Sequence, residues 1–323
     1  GSFGRDTENY LSDHFVGRTF FVGLNAYYDL YTGRNGANGV YKARDGYLIQ
    51  TPIRLDHESL QKNLIRFADF AQKTGIPTRL LTVPSTGYIL EDKLPPAHVS
   101  YHDGEILEQV SASLRGKISL INPASLFFSQ SDTGRPLYYK TDHHWTSYGA
   151  YLAYTQFCIA AGIAPIPESD FQIETHSGFY GTTYSRSGLW LEAPDDIELW
   201  KPSGSRRVQI EENNRIAIEQ DGLFFREHFS ETDQYPVFLD GNHSLVRIQN
   251  PEGGGKKLLL IKDSFAHCFA PFLSAHYGEI IMVDLRYYHA PLSDLVEKEG
   301  IDETLFLYGI ANLVSDTNSI WLK

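Results

Sequence analysis

The chain has 323 residues, with 28 lysines and arginines against 40 aspartates and glutamates, and a formal net charge of −12 at pH 7. This acidic balance argues against binding of nucleic acids or other polyanions through overall charge. Hydrophobic residues make up 42% of the chain and charged residues 21%, which excludes global disorder and is typical of a folded globular protein.

Residues 1–36 are predicted to form an N-terminal helical segment. From Asp6 to Tyr31 apolar residues recur at steps of three and four, as on one face of an amphipathic helix, and Gly33 and Gly36 end the pattern. The chain begins with glycine rather than methionine, so we expect its natural N-terminus to lie upstream, with a signal or anchor segment removed.

A β-hairpin and two helix–strand pairs are predicted next. Residues 39–50 alternate between apolar and polar side chains around an Asp-Gly pair, the usual signal of a tight hairpin turn. A helical pattern at 57–74 precedes a β-rich run at 79–83, and a helix at 105–114 precedes a strand at 117–121. Helices that alternate with apolar strands indicate an α/β domain with a parallel sheet.

The remaining chain divides into a β-rich part and a second α/β part. A helix is predicted at 147–161. Residues 165–255 consist of short alternating pieces rich in glycine, serine and asparagine, and we name them the β-rich insertion. The α/β pattern then resumes, with elements predicted at residues 257–261, 265–275, 279–283, 292–298 and 304–308. We therefore expect one α/β domain over residues 37–323 that contains this insertion.

Cys158 and Cys268 are the only cysteines, and both fall in predicted helices. Two cysteines are too few for a disulfide scaffold and lack the spacing of a structural zinc site. The alternatives are two buried thiols or a single disulfide between neighbouring helices.

A first candidate for catalysis lies in residues 138–146, directly before a predicted helix. Asp142 and His144 are two residues apart, so at the end of an extended strand both side chains can lie on one side. The carboxylate can then accept the Nδ1 proton of the imidazole and leave Nε2 free as a base. The alternative is a surface loop, or a helix cap with Asp142 or Thr146 at the N-terminus.

The same segment contains residue types that bind metal ions, namely Asp142, His143 and His144. Adjacent residues rarely face one ion together, and no HExxH or CxxC spacing accompanies them. We therefore predict neither a metal ion nor another cofactor, and a metal-dependent hydrolase is the alternative.

A second candidate for catalysis is Ser264, which follows the apolar strand predicted at 257–261 and precedes a helix. A serine there projects from the carboxyl edge of a parallel sheet, where unpaired N–H groups at a helix N-terminus can hold an oxyanion. This arrangement suits an acyl-transfer nucleophile. The alternative is an ordinary N-cap serine.

The string Lys140-Thr-Asp-His-His-Trp-Thr146, followed later by Asp263-Ser264-Phe265, resembles the bacterial family named for its Asp-His-His-Trp motif. That family is SGNH-hydrolase-like and is related to the O-acetyltransferases of alginate modification. The segments at 38–41, 45–48 and 83–85 also fit. The resemblance implies a three-layer α/β/α fold with a flavodoxin-like parallel sheet.

Carried over residue by residue, the resemblance implies Ser264 as nucleophile, His144 as general base and Asp142 as the group that orients the base. His143 occupies a variable position of the wider pattern and is not assigned to the triad. Lys262 stands where many relatives have glycine, so the backbone at this turn and the first oxyanion donor can differ from theirs.

Three further residues are candidates for the oxyanion hole or for substrate contact. Asn312 follows the last predicted strand and can donate to an oxyanion, or it is a simple turn residue. Arg286 can contact a polar substrate at the sheet edge, or it forms a structural salt bridge. Tyr139 adjoins the triad and either binds substrate or only supports the site.

The resemblance implies an extracytoplasmic, serine-dependent O-acetyltransferase or O-acetylesterase that acts on a cell-surface or secreted polysaccharide. It further implies membrane anchoring through an N-terminal segment, and a membrane-bound O-acyltransferase as acetyl donor. The alternative is a catalytically silent polysaccharide-binding component of an envelope complex.

The net charge favours a neutral glycan as substrate unless Arg286, Lys140 and Lys262 form a local basic groove.

Overall fold

The computed structural model describes residues 18–212 and 215–322. Apart from 3₁₀ turns, its first half contains α1 (Arg18–Tyr31), β1 (Gly36–Ala37), β2 (Val40–Lys42), β3 (Leu48–Gln50), α2 (His57–Thr74), β4 (Thr78–Val83), α3 (Thr86–Ile89), α4 (Asp103–Leu114), β5 (Ser119–Ile121), α5 (Ala124–Gln130) and α6 (Ser147–Ala161). The second half contains β6 (Gln172–Phe179), α7 (Thr182–Ser187), β7 (Asp195–Lys201), β8 (Arg207–Glu212), β9 (Arg215–Asp221), β10 (Leu245–Gln249), β11 (Lys257–Lys262), α8 (Ala266–Leu273), β12 (Glu279–Val283), α9 (Leu292–Glu299), β13 (Glu303–Gly309) and α10 (Ile310–Ser315).

A mixed sheet of eight strands forms the centre of the described structure, in the order β5-β4-β13-β11-β12-β10-β8-β9. The five strands from β5 to β12 pair in parallel, as the sequence predicts. The strands β10, β8 and β9 extend this sheet in antiparallel pairing. The carboxyl ends of β4, β13 and β11 therefore lie side by side, at the edge where α/β sheets place their ligand sites.

Two groups of helices form the outer layers of the α/β/α arrangement. Helix α2 packs against α4, α9 and α10, while α6 packs against α8 and α5. Phe67 of α2 stacks on Phe306 of β13 with ring centroids 4.2 Å apart, which joins the first group to the sheet. The predicted three-layer α/β fold is confirmed.

Helix α2 shows how local sequence sets an element's ends. Asp56 caps its N-terminus by accepting hydrogen bonds from the N–H groups of Glu58 and Ser59. Gly75 ends the helix in the left-handed region, at φ 67°, which a residue without a side chain adopts without strain. Both ends match the predicted boundaries.

The β-rich insertion contributes strands to two different sheets. Its strands β6 and β7 pair only with each other as an antiparallel hairpin, whereas β8, β9 and β10 continue the central sheet. The insertion thus packs into the main hydrophobic core without forming a separate core of its own.

At the N-terminus the described helix α1 covers residues 18–31, and the predicted helical residues 6–17 lie outside the described part. In residues 18–212 and 215–322, no helix combines the length and apolar character needed to span a bilayer. Cys158 and Cys268 are both buried and free, so they form no disulfide with each other.

Phe67 tests the packing of α2 on the sheet. It is 1% exposed, so Phe67→Ala leaves a cavity and should lower the free energy of unfolding by about 3–5 kcal/mol. Ile159→Ala, at a residue that is 70% exposed, is the control and should change it by less than about 0.5 kcal/mol. Urea unfolding measures both, and equal effects would contradict this packing.

Candidate active site

The turn after β11 places Ser264 at the carboxyl edge of the sheet. The buried carboxylate of Asp263 holds this turn: Oδ1 accepts from Phe265 N–H at 3.0 Å, and Oδ2 accepts from Gly309 N–H at 2.7 Å. Asn312 Nδ2 also donates to Oδ2, at 2.8 Å. Burial raises the pKa of Asp263, and these three hydrogen bonds oppose that shift by favouring the carboxylate. The strand ends of β11 and β13 are thereby joined.

Ser264 is not the cap of helix α8. The helix begins after Phe265 without a side-chain cap, and the hydroxyl of Ser264 lies 2.7 Å from Nε2 of His144 instead. The alternative interpretation of Ser264 as an N-cap is therefore not realised. Ser264 is partly exposed as a residue.

The segment from Leu137 to Thr146 forms a tight loop that carries the base. Tyr139 N–H donates to the carbonyl of His144 at 3.2 Å, and Thr146 N–H donates to that of Leu137 at 2.9 Å. Thr146 also caps α6 by accepting from Gly149 N–H, which is the predicted alternative role for this residue. The cap and the base thus occupy neighbouring positions in one loop.

Asp195 of the β-rich insertion fixes this loop from outside. Its carboxylate accepts hydrogen bonds from Lys140 N–H at 2.9 Å, from Thr141 N–H at 2.8 Å and from Thr141 Oγ1 at 2.6 Å. Nothing in the local sequence around Asp195 indicates this contact.

Asp142, His144 and Ser264 form a continuous hydrogen-bond chain. Asp142 Oδ1 lies 2.5 Å from Nδ1 of His144 and also accepts from His144 N–H at 2.9 Å. On its other oxygen Asp142 accepts from the N–H and the hydroxyl of Thr182, at 2.6 and 2.8 Å. His144 is 4% exposed and Asp142 2%. This arrangement holds the Nδ1 proton against the carboxylate and presents the Nε2 lone pair to the hydroxyl of Ser264.

The Asp142 carboxylate stays ionised in this setting. Burial alone would raise its pKa, but the neighbouring imidazoles of His144 and His143 and the hydrogen bond from Thr182 outweigh burial and lower it. An ionised carboxylate at this position stabilises the imidazolium that forms when His144 accepts a proton.

Gly181 makes the contact between Thr182 and Asp142 possible. A Cβ atom at Gly181 would lie 2.2 Å from Cβ of Asp142 and 2.3 Å from its Oδ2, which is closer than real Cβ atoms approach. Only glycine lets the backbone come this near the carboxylate. Sequence analysis did not identify Gly181 or Thr182, since glycine followed by threonine is common in β-rich segments.

Aromatic rings enclose the imidazole of His144. The ring of Tyr235 stacks on it at 3.9 Å with an interplanar angle of 8°, and Phe265 meets it edge-on at 5.0 Å. The hydroxyl of Tyr235 donates to the carbonyl of Ser264 at 3.4 Å. Tyr235 comes from the β-rich insertion, and no motif around it signals this role.

Trp145 couples the two catalytic segments. Its indole Nε1–H donates to the carbonyl of Phe265 at 3.0 Å, and its ring stacks on Phe269 of α8. Trp145 is completely buried. The tryptophan of the motif thereby ties the loop of His144 to the turn of Ser264.

His143 lies beside the hydrogen-bond chain, with its ring 3.9 Å from that of His144 and its Nδ1 3.6 Å from Asp142 Oδ1. Its Nδ1 lies 2.6 Å from Thr182 Oγ1, and burial together with the neighbouring His144 lowers the pKa of His143 to about 4. Asp142, His143 and His144 bring potential metal-ligand atoms within 4.8 Å of one another. Asp142 and His144 already use theirs in hydrogen bonds to protein groups, so a metal ion would have to displace those partners.

A cavity of about 240 Å³ opens beside the triad. His143, Phe265, Gly309 and Asn312 border it on the side of the catalytic segments. The residues after β4 and those of β3 form the opposite side. A substrate in this cavity would lie next to the residues that flank Ser264 and His144.

The structure brings Asn312 next to the serine turn, whereas the side chains of Arg286 and Tyr139 are engaged in contacts with other protein groups. Asn312 lies in helix α10 rather than in a turn, and one of its amide protons is bound by Asp263. Arg286 binds Asp284 through Nε at 2.9 Å and Nη2 at 2.6 Å, so the salt-bridge alternative is realised. Tyr139 is 2% exposed and packs against Phe179, which leaves its side chain no surface for substrate, and we do not retain it as a substrate contact.

Lys262 does not form the basic groove that the sequence leaves open. It is 2% exposed, and its ammonium group binds Asp284 at 3.0 Å and Nε2 of His267 at 2.8 Å. Burial lowers the pKa of Lys262, although Asp284 opposes the shift. The ammonium group of Lys262 is therefore bound by buried protein groups and is not available to a ligand at the surface.

Comparison with known proteins bears on the same segments. The model of the family described as DHHW protein matches residues 126–283, a range that contains Asp142, His144 and Ser264. The resemblance predicted from the sequence is confirmed. Among curated proteins, none matches the chain significantly.

Solved structures share the fold of this chain. A DHHW family protein from Eubacterium siraeum is 22% identical, with a TM-score of 0.74 over 88% of this chain and 95% of that one. Bacillus cereus PatB1, solved with a sulfonyl adduct, is 19% identical, with a TM-score of 0.74 over 88% and 98% of the two chains. The O-acetyltransferase domain of Pseudomonas putida AlgJ is 15% identical, with a TM-score of 0.54 over 86% and 93%. At these identities the similarity establishes the fold, and the chemistry has to be argued from the residues.

The low pKa of His143 predicts a pH-dependent stability. In the unfolded chain this imidazole takes up a proton below about pH 6.5, whereas in the folded protein it stays neutral down to about pH 4. The free energy of unfolding should therefore fall as the pH drops through this window. In His143→Gln the fall should be smaller by ~1–3 kcal/mol, because the substituted side chain does not titrate.

Urea unfolding of both proteins at several pH values measures this difference. His267 and His276, whose pKa values are also lowered by burial, contribute equally to both proteins and cancel in the comparison. Equal slopes for wild type and His143→Gln would contradict a neutral, half-buried His143.

Proposed function

Because the chain carries the signature of the DHHW family and shares the fold of an O-acetyltransferase domain, we propose that it is an extracytoplasmic, serine-dependent O-acetyltransferase or O-acetylesterase of a polysaccharide. The observation that carries this proposal is the hydrogen-bond chain from Asp142 through His144 to Ser264, at 2.5 and 2.7 Å. Nucleophile, base and orienting carboxylate are the three groups that acyl transfer through a serine requires.

In the first half-reaction, Oγ of Ser264 attacks the acetyl carbonyl while Nε2 of His144 takes the hydroxyl proton. The tetrahedral intermediate then collapses, the bond to the leaving oxygen breaks, and His144 returns the proton to that oxygen. The acetyl group is now an ester on Ser264.

In the second half-reaction, a hydroxyl group attacks the acetyl-enzyme. His144 takes its proton through Nε2, and collapse of the second intermediate breaks the ester and returns the proton to Ser264. A sugar hydroxyl as acceptor gives acetyl transfer, and water gives hydrolysis. The same residues serve both outcomes, so the competition between sugar and water at the cavity decides between them.

Two donors can stabilise the oxyanion. No residue in the described ranges accepts a hydrogen bond from the backbone N–H of Ser264, so this group is free to donate. Asn312 is held by Asp263 through one amide proton and lines the cavity, which leaves its second proton for the intermediate. A preorganised donor of this kind is typically worth about 10²–10³ in rate.

The family resemblance and the net charge each support one further part of the proposal. A membrane-bound O-acyltransferase would supply the acetyl group from the other side of the membrane. Nucleic acid is not a proposed partner, because the chain carries a net charge of −12.

Substitution of the triad tests the mechanism. Ser264→Ala, His144→Ala and Asp142→Asn should each lower acetyl release from a chromogenic acetyl ester by at least about 10²-fold, because nucleophile, base or base orientation is lost. Ser315→Ala and His57→Gln, which change exposed residues outside the site, are the matched controls and should keep full activity. Equal activity of wild type and Ser264→Ala would refute the mechanism.

Covalent labelling separates an enzyme from a silent polysaccharide binder. Since the similar PatB1 structure carries a sulfonyl adduct, an aryl sulfonyl fluoride is the probe. Mass spectrometry should find one label on Ser264 in the wild type and none in Ser264→Ala. Glycan binding without labelling or turnover would favour the silent binder.

The ring that covers His144 supplies a further prediction. Tyr235→Phe keeps the stacked ring and should retain activity within a few-fold. Tyr235→Leu removes the flat contact, lets the imidazole tilt, and should lower kcat by up to about 10²-fold with little change in KM. Steady-state kinetics on the chromogenic ester measure both, and equal kcat values for the two variants would show that the stacking is dispensable.

A further inference from the structure

We propose that the cavity beside His143 is the sugar subsite of the proposed reaction, and that it selects uncharged sugar residues over uronic acids. This inference rests on the proposed function and adds the substrate class to it. It depends on where the cavity lies, on its free hydrogen-bonding groups and on the charges around it.

The position of the cavity suits the sugar rather than the acetyl group. Its walls are the residues after β4, those after β13 and the hairpin strand β3, and Phe265, the residue next to Ser264, also lines it. A volume of about 240 Å³ is small beside the roughly 300–1,000 Å³ typical of pockets for drug-sized ligands. It therefore accommodates a short end of a glycan rather than a long stretch of chain.

The walls offer polar groups without internal partners. Gln50, Thr51 and Thr86 line the cavity, and in the described ranges none of their side chains takes part in a hydrogen bond with another residue. Ile53, Ile106 and Ile310 supply apolar surface beside them. Sugars present both hydroxyl groups and apolar C–H faces, so this mixture fits a pyranose ring.

Asp103 is the one formally charged side chain in the cavity lining, which also contains His102 and His143. Burial raises the pKa of Asp103, and the hydrogen bond from Ser85 N–H opposes that shift. No lysine or arginine is among the lining residues of the cavity, whereas Asp103 lines it and is 2% exposed. Asp103 accepts a hydrogen bond from Ser85 N–H at 2.6 Å, and the ionised Asp142 lies behind His143. A sugar carboxylate placed here would lose its hydration and gain no cation, which is strongly unfavourable.

The cations of the same sheet edge are already neutralised. Lys262 and Arg286 share the carboxylate of Asp284, on the far side of Asn312 from the cavity. Lys140 lies near the ring of Tyr47, outside the cavity lining. None of these three residues can pair with a uronate in the cavity, and the acidic chain as a whole adds to the repulsion.

Turnover of matched acetylated oligosaccharides tests this selectivity. Acetylated xylo-oligosaccharides are the neutral substrate, acetylated oligogalacturonates of the same length are the uronate, and the chromogenic ester reports chemistry without a glycan. We expect kcat/KM for the neutral substrate to exceed that for the uronate at least tenfold. Added salt should narrow the gap by screening the repulsion.

Two substitutions place a cation at the cavity. Gln50→Lys and Thr86→Lys should each reduce the preference for the neutral substrate at least about fivefold, while Gln50→Met, of similar size and uncharged, should not. Ser129→Lys adds the same charge at an exposed residue outside the cavity lining and should leave the preference unchanged. If neither Gln50→Lys nor Thr86→Lys changes the ratio of kcat/KM for the neutral substrate to that for the uronate, the proposed subsite is wrong.

Binding to the inactive Ser264→Ala protein separates this inference from the proposed function. Calorimetric titration with unacetylated oligosaccharides should show binding of the neutral xylo-oligosaccharide and at least tenfold weaker binding of the oligogalacturonate. Ester turnover together with equal or tighter uronate binding would refute the subsite alone. Neutral-sugar binding without any ester turnover would refute the enzyme and leave the subsite standing.

Discussion

The buried carboxylate of Asp142 is the constraint around which the site is built. A carboxylate that is 2% exposed has to exchange all its hydration for protein hydrogen bonds. One oxygen obtains them from His144 within its own loop, and the other obtains them from Thr182 of the β-rich insertion. The insertion is therefore part of the candidate site, because it supplies the hydrogen bonds to the second oxygen of this buried carboxylate.

Much of this architecture follows from local sequence. The helix from His57 to Thr74 and the strand from Glu279 to Val283 have the predicted boundaries, because a cap, a left-handed glycine and an apolar run each act over a few residues. Asp142, His144 and Ser264, which the structure brings into contact, were candidates from the sequence for a similar reason. Each lies in a short contiguous motif at the end of a predicted element, and a family resemblance joined the two motifs.

Other parts could not be predicted, because they depend on residues distant in sequence that meet only after folding. Tyr235 and Gly181 touch His144 and Asp142 from the insertion, where their neighbours carry no matching pattern. Sequence also left open whether Arg286 meets a substrate or a carboxylate. Asp284, two residues away, settles this, because it binds the guanidinium and the buried Lys262 at once.

The enclosure of His144 limits how protons can move in this site. Tyr235 lies flat on one face of the imidazole at 3.9 Å and Phe265 lies against the ring at 5.0 Å, and both contacts oppose a turn of the ring. A histidine that rotates could accept a proton on one nitrogen at one position and release it elsewhere. Here Nδ1 is held by Asp142, so a single nitrogen, Nε2, has to collect and return every proton along one line. In the proposed reaction the departing and the arriving oxygen would consequently occupy the same position in turn, and one group would have to leave before the next could enter.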